Sequence, residues 1–164
     1  MFNIIQIDYN NQQQNEDLLY LLNEYACDEM GGGEPLSEFC KQNLIKNLTN
    51  NQSAVSFILY DQQKPIGFSN CFLGFSTFIC RPLMNIHDFA VLDGYRGKKL
   101  SQLLLTHIEQ YAKIKDCCKI TLEVLENNHA AKKAYQNYGF AGYELLEKSG
   151  VAMFWQKKLD DKKQ

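Results

Sequence analysis

Two polar residues interrupt an apolar stretch near the middle of the chain, and a basic turn follows them. His87 and Asp88 lie in the segment MNIHDFAVL (84–92), and the turn DGYRGKK (93–99) then carries Arg96 and two lysines. An imidazole or a carboxylate can accept a proton. A basic turn that opens a helix can hold phosphate, because the first helical N–H groups are unpaired. The spacing therefore indicates proton transfer beside an anion site or, alternatively, an ordinary strand–turn–helix connection with a solvated basic turn.

These residues require a strand, a turn and a helix to position them. Met84–Leu92 has the apolar content of a strand, and apolar residues recur at helical spacing from about Lys98 to Ile114. The β-branched, alternating segment Lys119–Val124 predicts a further strand. A strand–helix–strand unit over residues 84–124 should be parallel and right-handed.

The remaining segments predict the order β-α-α-β-β-β-α-β-α-β-β. We expect one mixed α/β (α+β) domain over residues 1–164, with a mostly antiparallel sheet of about 6–7 strands, a central β-α-β unit and flanking helices. Residues 160–164 should form a frayed tail. The predicted elements are strand Asn3–Asp8, a helix capped by Asn15, a helix capped by Ser37, strands Ser53–Tyr60 and Ile66–Phe75, helix Ala130–Tyr138 ended by Gly139, and a closing hairpin of Tyr143–Leu146 and Val151–Lys158.

Composition excludes several classes of protein. Seventeen basic and 19 acidic residues give a net charge of −2, which argues against a general nucleic-acid binder. The chain has no apolar run of membrane-spanning length and no signal peptide at its N-terminus, so we expect a cytoplasmic protein that binds neither membrane nor nucleic acid. The six cysteines form no C-x-x-C pair, and neither cysteine nor histidine spacing predicts a metal site. The phosphate loop of nucleoside triphosphatases and the dinucleotide fingerprint are both absent.

Two segments taken together resemble a known family. The first is VLDGYRGKKLS (91–101), and the second is LEVLENN (122–128), which is followed by Ala131, Tyr135 and Gly139-Phe140. They are similar to the pyrophosphate motif R/Q-x-x-G-x-G/A and the motif N-x-x-A-x-x-x-Y-x-x-x-G-F of the GCN5-related N-acetyltransferase superfamily. Members of that superfamily transfer an acetyl group from acetyl-CoA to an amine. The resemblance implies a CoA-binding core at about residues 84–140. The two helices of residues 15–50, joined by a flexible, acidic glycine loop at residues 30–35, could form a lid on the substrate side or, alternatively, a helix hairpin with a loose connection.

The resemblance also implies which residues contact acetyl-CoA. Arg96 matches the leading Arg/Gln, and the following backbone N–H groups would face the pyrophosphate. Lys99 stands where glycine is usual, and Ser101 stands where glycine or alanine is usual. The full set of implied cofactor-binding residues is Phe89, Ala90, Val91, Arg96, Gly97, Lys98, Lys99, Leu100, Ser101, Asn128, Ala131 and Tyr135.

The catalytic residues follow from the same resemblance. Tyr135 would protonate the departing thiolate and Asn128 would contact the pantetheine arm, although the two could instead be a core aromatic residue and a helix cap. His87 matches a glutamate of related polyamine and glucosamine acetyltransferases. The general base could be His87, Asp88 or a water chain, and alternation predicts that only one of the two side chains lines the cleft unless a bulge intervenes. A bulge around residues 89–91 would free a backbone N–H for the oxyanion.

The sequence thus predicts an acetyl-CoA-dependent N-acetyltransferase. We expect direct attack by a primary amine in a ternary complex, with no covalent enzyme intermediate and no metal. The partners would be acetyl-CoA and an amine, most simply a small molecule, with a protein N-terminus or lysine left open. A non-catalytic acyl-CoA-binding sensor or interaction module is the alternative. Either a monomer or a homodimer is compatible with the sequence.

Overall fold

The computed structural model describes residues 1–144 and 146–159. The described residues fall into two compact units that divide after Leu122, and the first of them contains the whole sheet. No helix in the described ranges is long and apolar enough to cross a membrane. The elements are β1 (Phe2–Gln6), α1 (Gln12–Cys27), α2 (Glu38–Asn50), β2 (Ala54–Asp61), β3 (Lys64–Ser76), β4 (Arg81–Val91), a 3-10 turn (Asp93–Tyr95), α3 (Leu100–Ile114), β5 (Ile120–Leu122), α4 (His129–Tyr138) and a second 3-10 turn (Glu147–Ser149).

The strands form a five-stranded sheet in the order β1-β2-β3-β4-β5. The first three neighbouring pairs are antiparallel, and β4 pairs in parallel with β5 over Met84–Ile86 and Ile120–Leu122. Helix α3 connects these two parallel strands, as the β-α-β prediction required. The mixed α/β fold class is therefore confirmed, with fewer strands than the predicted 6–7.

The strands that were predicted but are not found among the described residues are those of the closing hairpin. In the described residues that segment contains one isolated bridge, Glu144↔Val151, and a 3-10 turn that ends at Ser149. The segments Tyr143–Leu146 and Val151–Lys158 are not strands there, so this prediction is wrong. A two-stranded hairpin without a packed apolar face is only marginally stable, and the side chain of Trp155 is 79% exposed. The predicted frayed tail at 160–164 lies outside the described residues.

The sheet of the first unit is covered by helices on both faces. Leu18 and Leu21 of α1 pack with Ile58 and Phe68 on one face, and Leu48 of α2 joins the same cluster. Adjacent strand residues face opposite sides. Accordingly, Phe57 turns to the other face, where its ring lies 5.3 Å from the ring of His107 and 5.3 Å from that of Tyr111, both on α3.

Helix starts follow capping chemistry, with one displacement from the prediction. The side chain of Ser37 accepts from Cys40 N and begins α2, as predicted. Helix α1 is capped by Asn11, whose side chain accepts from Gln14 N, so the predicted cap at Asn15 is wrong. The side chain of Asn15 instead donates to Tyr9 O at 2.8 Å. The earlier asparagine captured the cap position because the chain turns at residues 9–10.

Both hairpins of the sheet contain a β-bulge. In the β2–β3 pair, Leu59 faces Gly67 and Tyr60 faces Pro65, so one residue of β3 has no paired residue on β2. In the β3–β4 pair, Asn70 faces Asp88 and Cys71 faces Ile86, which makes His87 the extra residue of β4. A bulge was expected at residues 89–91, and it lies instead at His87. A bulge bends its strand and re-aims the side chains beside it.

Candidate functional site

The bulge of β4 brings His87 and Asp88 to the same face of the sheet. The ring of His87 meets the ring of Phe72 edge-on at 5.6 Å, and the carboxylate of Asp88 accepts a hydrogen bond from the Asn70 side chain. Asn70 and Phe72 are two residues apart on β3 and therefore share a face. His87 is exposed and Asp88 is half-buried. Strict alternation would have separated the two side chains, and the extra residue places both on the side of α1.

A row of polar side chains crosses the sheet and ends at Asp88. Ser56, Asn70 and Asp88 occupy facing positions on β2, β3 and β4. Ser56 Oγ donates to Asn70 Oδ1 at 2.6 Å, and Asn70 Nδ2 donates to Asp88 Oδ2 at 2.9 Å. At the far end, the hydroxyl of Tyr9 lies 2.9 Å from Ser56 Oγ. Ser56 and Asn70 are only 1% and 3% exposed, so the middle of the row is buried.

A cavity of about 170 Å³ lies further along the same face, where α1 and the end of β4 meet. Tyr25 lines it, and burial, reinforced by the negative charges of Asp88 and Asp28, raises the pKa of this phenol above its ordinary value. Tyr25 therefore keeps its proton at neutral pH and can act as a hydrogen-bond donor. The cavity is lined by Glu24, Tyr25, Asp28, Ala90, Val91, Leu92, Asp93 and Arg96.

The upper part of β4 is paired on its β3 side. The β4–β5 ladder covers Met84–Ile86, whereas β4 continues to Val91 with Phe89 opposite Ser69 and Ala90 opposite Phe68. The two parallel strands thus share only the first part of β4. Residues 89–91 form the stretch of strand that leads directly into the basic turn.

The turn before α3 presents a series of backbone donors. The first N–H of this region with an acceptor inside the helix is Leu103 N, which donates to Lys99 O at 3.2 Å. For residues 97–102 the described part of the chain provides no acceptor for the backbone N–H groups. Orphan N–H groups and the partial positive charge of a helix start attract anions. This arrangement fits a pyrophosphate.

Lys99 has an unusual backbone conformation at this turn. It is the N-cap residue of α3 and lies in the left-handed region with φ 61° and ψ 15°. The preceding Gly97 also has a positive φ of 79°. A left-handed conformation costs a non-glycine residue about 1–2 kcal/mol. The structure thus gives a physical reason why glycine would be favourable at position 99.

Arg96 is half exposed, yet protein groups contact its Nε and both of its terminal nitrogens. Its Nε donates to Val91 O at 3.1 Å, and its terminal nitrogens contact the carboxylates of Asp28, at 2.8 Å, and Asp93. The hydrogen bond from Arg96, followed by one from Met30 N, lowers the pKa of Asp28 below its ordinary value. The structure shows a side chain that fixes the turn against the end of α1.

The loop after α1 is tied back onto its own helix. Asp28 O accepts from Gly31 N at 2.8 Å and from Gly33 N at 3.0 Å, and Glu34 N donates to Ala26 O at 3.1 Å. Gly31 comes so close to α1 that a Cβ on it would lie 1.8 Å from Tyr25 O. The glycine loop therefore sets the position of Asp28. Its role as a substrate lid stays a prediction.

The second unit carries the other three predicted site residues. Asn128 caps α4, since its side chain accepts from Ala131 N at 3.1 Å, and Gly139 ends the helix with φ 106°. Tyr135 is 9% exposed, and its ring meets that of Phe140 at 5.9 Å in an edge-on geometry. The predicted helix is confirmed, and the cap was one of the two roles foreseen for Asn128.

Within the first unit, the structure brings together more residues than the sequence indicated. His87 and Asp88 share a face, and the turn at 96–101 presents the expected donors. The sequence analysis missed Ser56, Asn70 and Tyr25, because only strand register and helix docking bring them beside Asp88. Among the described residues there is no group of three or more His, Cys, Asp or Glu side chains that could hold a metal ion.

Comparison with known proteins shows which family this chain resembles. The model of the family described as "Acetyltransferase (GNAT) family" matches residues 18–140, which is most of the chain. A curated relative, the uncharacterized N-acetyltransferase YycN of Bacillus subtilis (strain 168), is 34% identical over 61 residues. That match covers 37% of this chain and 39% of the relative, so it spans well under half the length of either protein.

Solved structures share the fold along nearly the whole chain. A probable acetyltransferase superposes with a TM-score of 0.76 at 20% identity, covering 95% of this chain and 99% of the other. An aminoglycoside acetyltransferase from a soil metagenomic sample, solved in complex with sisomicin, gives 0.74 at 18% identity, with 96% and 97% covered. The structure of AAC(6')-Iy in complex with a bisubstrate analog gives 0.74 at 16% identity, with 97% and 99% covered.

Proposed function

The chain belongs to the acetyltransferase (GNAT) family, and on that premise we propose that it transfers the acetyl group of acetyl-CoA to a primary amine by direct attack in a ternary complex. The observation that carries the proposal is the bulge of β4, which sets His87 and Asp88 side by side on one face. That face continues into the cavity beside Tyr25 and into the donor-rich turn. Groups for binding an anion and groups for moving a proton therefore occur along one strand.

Acetyl-CoA binding is assigned to the turn and to the strand that leads into it. The N–H groups of residues 97–102 would donate to the pyrophosphate, with the positive charges of Lys98 and Lys99 beside them. Lys98 already lies over the ring of Tyr95 at 4.9 Å and donates to Gly94 O, so its charge stays close to the turn. The segment 89–91 would accompany the pantetheine arm, and Asn128 and Ala131 would complete that contact. When bound, acetyl-CoA supplies an activated thioester carbonyl.

Proton removal from the acceptor is assigned to His87 and Asp88. An ammonium group cannot attack a carbonyl until it has lost a proton. The fixed, half-buried carboxylate of Asp88 would bind the ammonium, and the exposed imidazole of His87 would accept the proton and pass it to solvent. A backbone N–H beside the bulge would stabilise negative charge that develops on the acetyl oxygen.

Tyr135 is assigned the role of acid. Its phenol would donate a proton to the sulfur that leaves when the new amide bond forms, so that free CoA departs as a thiol. The near-complete burial of Tyr135 supports a fixed orientation. No covalent bond between acetyl group and protein is needed, because the amine attacks the thioester directly.

Turnover with a panel of amines tests the proposal. The protein is incubated with acetyl-CoA and small mono- and polyamines, aminoglycosides, and peptides with a free N-terminus or lysine, while free thiol is followed. We expect thiol release that depends on the acceptor and an acetylated amine by mass spectrometry. Binding of acetyl-CoA without turnover across the whole panel would favour the sensor or interaction module instead.

Tyr135→Phe tests the acid. We expect kcat to fall about 10²-fold or more with little change in the affinity for acetyl-CoA. Tyr138→Phe on the same helix, whose ring also neighbours Phe140 at 6.2 Å, is the matched control and should retain activity. An equal loss of turnover and affinity in Tyr135→Phe would sink its role as acid.

His87→Gln tests the base. Glutamine keeps a polar side chain at the bulge but cannot take up the proton. We expect a lower kcat and a pH–rate profile that loses one ionisation. A profile identical to that of the wild type would remove His87 from the mechanism and leave Asp88 or water as base.

The cytoplasmic location and the monomeric or homodimeric state stay predictions from the sequence.

A further inference from the structure

We infer that Tyr9, Ser56 and Asn70 position Asp88 for the reaction, as a row of hydrogen-bond donors that is buried at Ser56 and Asn70 and ends on one oxygen of the Asp88 carboxylate. The other oxygen is then oriented toward the acceptor amine. This inference rests on the proposed function and adds to it three positioning residues, none of which belongs to either sequence motif. Two of the three lie on β2 and β3, and Tyr9 lies just before α1.

The donor and acceptor of each hydrogen bond in the row follow from the last residue of the row, Asp88. An ionised carboxylate can only accept, so the amide nitrogen of Asn70 must face Asp88 Oδ2, at 2.9 Å. The amide oxygen of Asn70 then faces Ser56, whose single hydroxyl hydrogen is donated to it at 2.6 Å. Because that hydrogen is used, Ser56 can only accept from the hydroxyl of Tyr9 at 2.9 Å. Each link therefore donates toward the carboxylate.

Burial makes this arrangement hard to leave. Ser56 and Asn70 are almost completely inaccessible to water, so a broken link would leave a buried polar group unpaired. Such a group costs about 1–3 kcal/mol. Any rotation of the Asp88 side chain away from Asn70 would orphan the Asn70 amide hydrogen. The carboxylate is consequently held before any acceptor arrives, which lowers the cost of reaching a reactive geometry.

The rest of Asp88 is fixed as well. Its backbone carbonyl accepts from Ser69 Oγ at 2.9 Å on the opposite face of β3. Among the described residues, no group donates to Asp88 Oδ1. Oδ2 of the carboxylate thus accepts a hydrogen bond from the row, and Oδ1 is available to an ammonium group. Tyr9 extends the chain to the start of α1, because Tyr9 O accepts from the Asn15 side chain.

Graded substitutions test the inference by separating kcat from KM. Asn70→Leu removes the link to Asp88 while keeping a side chain of the same branched shape, Ser56→Ala removes the middle link, and Tyr9→Phe removes the last hydroxyl. We expect kcat with the acceptor amine to fall about tenfold or more in Asn70→Leu, by a smaller factor in Ser56→Ala, and by the smallest factor in Tyr9→Phe. The KM for acetyl-CoA should stay within about twofold in all three. Loss of both parameters together, or no loss of kcat, would overturn the positioning role.

Tyr60→Phe is the matched control. The hydroxyl of Tyr60 donates to Asp17 Oδ2 at 2.6 Å, so this variant, like Tyr9→Phe, loses a hydrogen bond made by a tyrosine hydroxyl, but outside the row. Comparable losses of thermal stability are expected in Tyr60→Phe and Tyr9→Phe, with kcat lowered only in the latter. If the control loses kcat to the same degree, general destabilisation explains the effect and the inference is wrong.

A kinetic double-mutant cycle gives the sharpest test. If Asn70 acts through Asp88, then Asn70→Leu should lower kcat/KM in the wild type but have little further effect in an Asp88→Asn background. Additive losses would show that Asn70 acts by another route and would overturn the inference.

Failure of the proposed function has a separate signature. If the wild type turns over no amine, the proposed function is wrong, and the positioning role in catalysis is wrong with it. If the wild type is active and Asn70→Leu matches it, only the inference is wrong. The Asn70 side-chain amide signal in an ¹⁵N NMR spectrum reports on folding of the row in each variant. We expect it to shift in Ser56→Ala and in Asp88→Ala, and an unchanged signal in both would contradict the hydrogen-bonded chain itself.

Discussion

The row that ends at Asp88 and the turn that opens α3 use hydrogen-bonding groups in opposite ways. In the row, Ser56 and Asn70 are buried and paired, and each donor has an acceptor in the chain. In the turn, the N–H groups of residues 97–102 have no acceptor among the described residues, and Lys99 holds a costly left-handed conformation. The hydrogen bonds of the row fix one side chain, whereas the donors of the turn are available to a ligand.

This difference suggests a division of labour between orientation and affinity. A group that handles a proton must be placed to within a fraction of an ångström, so it benefits from a closed network. An anion site gains from donors that the ligand itself satisfies, and it tolerates strain because the neighbouring contacts hold it. Arg96 supplies those contacts here by joining the turn to α1 and to the end of β4. Four substitutions test the contrast, from the largest expected effect to the smallest.

Asp88→Asn should break the proton-handling side alone. Asparagine keeps the shape and can still accept from Asn70, but it cannot bind or deprotonate an ammonium as a carboxylate does. We expect kcat/KM for the amine to fall by about 10²–10⁴ with the acetyl-CoA dissociation constant nearly unchanged. Steady-state kinetics and calorimetry measure the two quantities. A main effect on acetyl-CoA affinity would erase the contrast between the two regions.

Gly31→Ala should disturb the support of the turn from a distance. The added Cβ would lie 1.8 Å from Tyr25 O, so the loop that places Asp28 must move. We expect the free energy of unfolding to fall by about 2 kcal/mol and acetyl-CoA to bind more weakly. Gly33→Ala is the control, because a Cβ there has nothing within 4 Å and meets only the backbone cost of φ 77°. Equal effects of the two changes in chemical denaturation would argue against the support.

Lys99→Gly should stabilise the protein by about 1 kcal/mol, because glycine adopts a positive φ without steric cost. Thermal unfolding measures the gain as a rise in Tm of a few degrees. Lys98→Gly removes the same charge one residue earlier, where the backbone has no positive φ, so it should give no gain. If the two variants unfold alike, Lys99 carries no strain.

Asp28→Asn should give the smallest effect and one that depends on pH. Because Arg96 lowers the pKa of Asp28 in the folded protein, the ion pair stabilises the fold above the unfolded pKa of this carboxyl. That contribution is lost as the pH falls through the lower, folded value. Since Arg96 is half exposed, we expect a deficit of about 0.5–1 kcal/mol at pH 7.

Urea unfolding at a series of pH values measures this deficit, which should shrink below about pH 4. Asp116→Asn serves as comparison, because its ion pair with Arg81 is largely exposed and should contribute less. A deficit in Asp28→Asn that is constant down to acidic pH would contradict the electrostatic explanation.

The features that were predictable from the sequence are the local ones. The β-α-β unit, the basic turn and the helix ended by Gly139 each depend on residues within a few positions of one another. Capping was predicted correctly at Ser37 and wrongly at Asn15, because several asparagines precede α1 and each could serve as the cap. The prediction of the closing hairpin was wrong because, among the described residues, its alternating apolar side chains do not pack against another element that would stabilise them as strands.

The polar row was beyond the sequence because two bulges set its register. Without the bulge in the second hairpin, Asn70 would face His87, and without the one in the first hairpin, Ser56 would face Ser69. A one-residue slip turns each side chain to the other face of the sheet. Turn residues did not indicate either bulge. The pairing of Asn70 with Asp88 could therefore be read only from the structure.

The order of the strands bears on how the molecule is made. The sheet order β1-β2-β3-β4-β5 follows the order of the chain. During synthesis each new strand can therefore add to the edge left by the previous one, and no strand has to be inserted between two already paired. The two hairpins that align Ser56, Asn70 and Asp88 are complete once residue 91 has emerged, before α3 exists. Along the chain, the residues of the proton-handling face therefore all precede the turn that is assigned to phosphate binding.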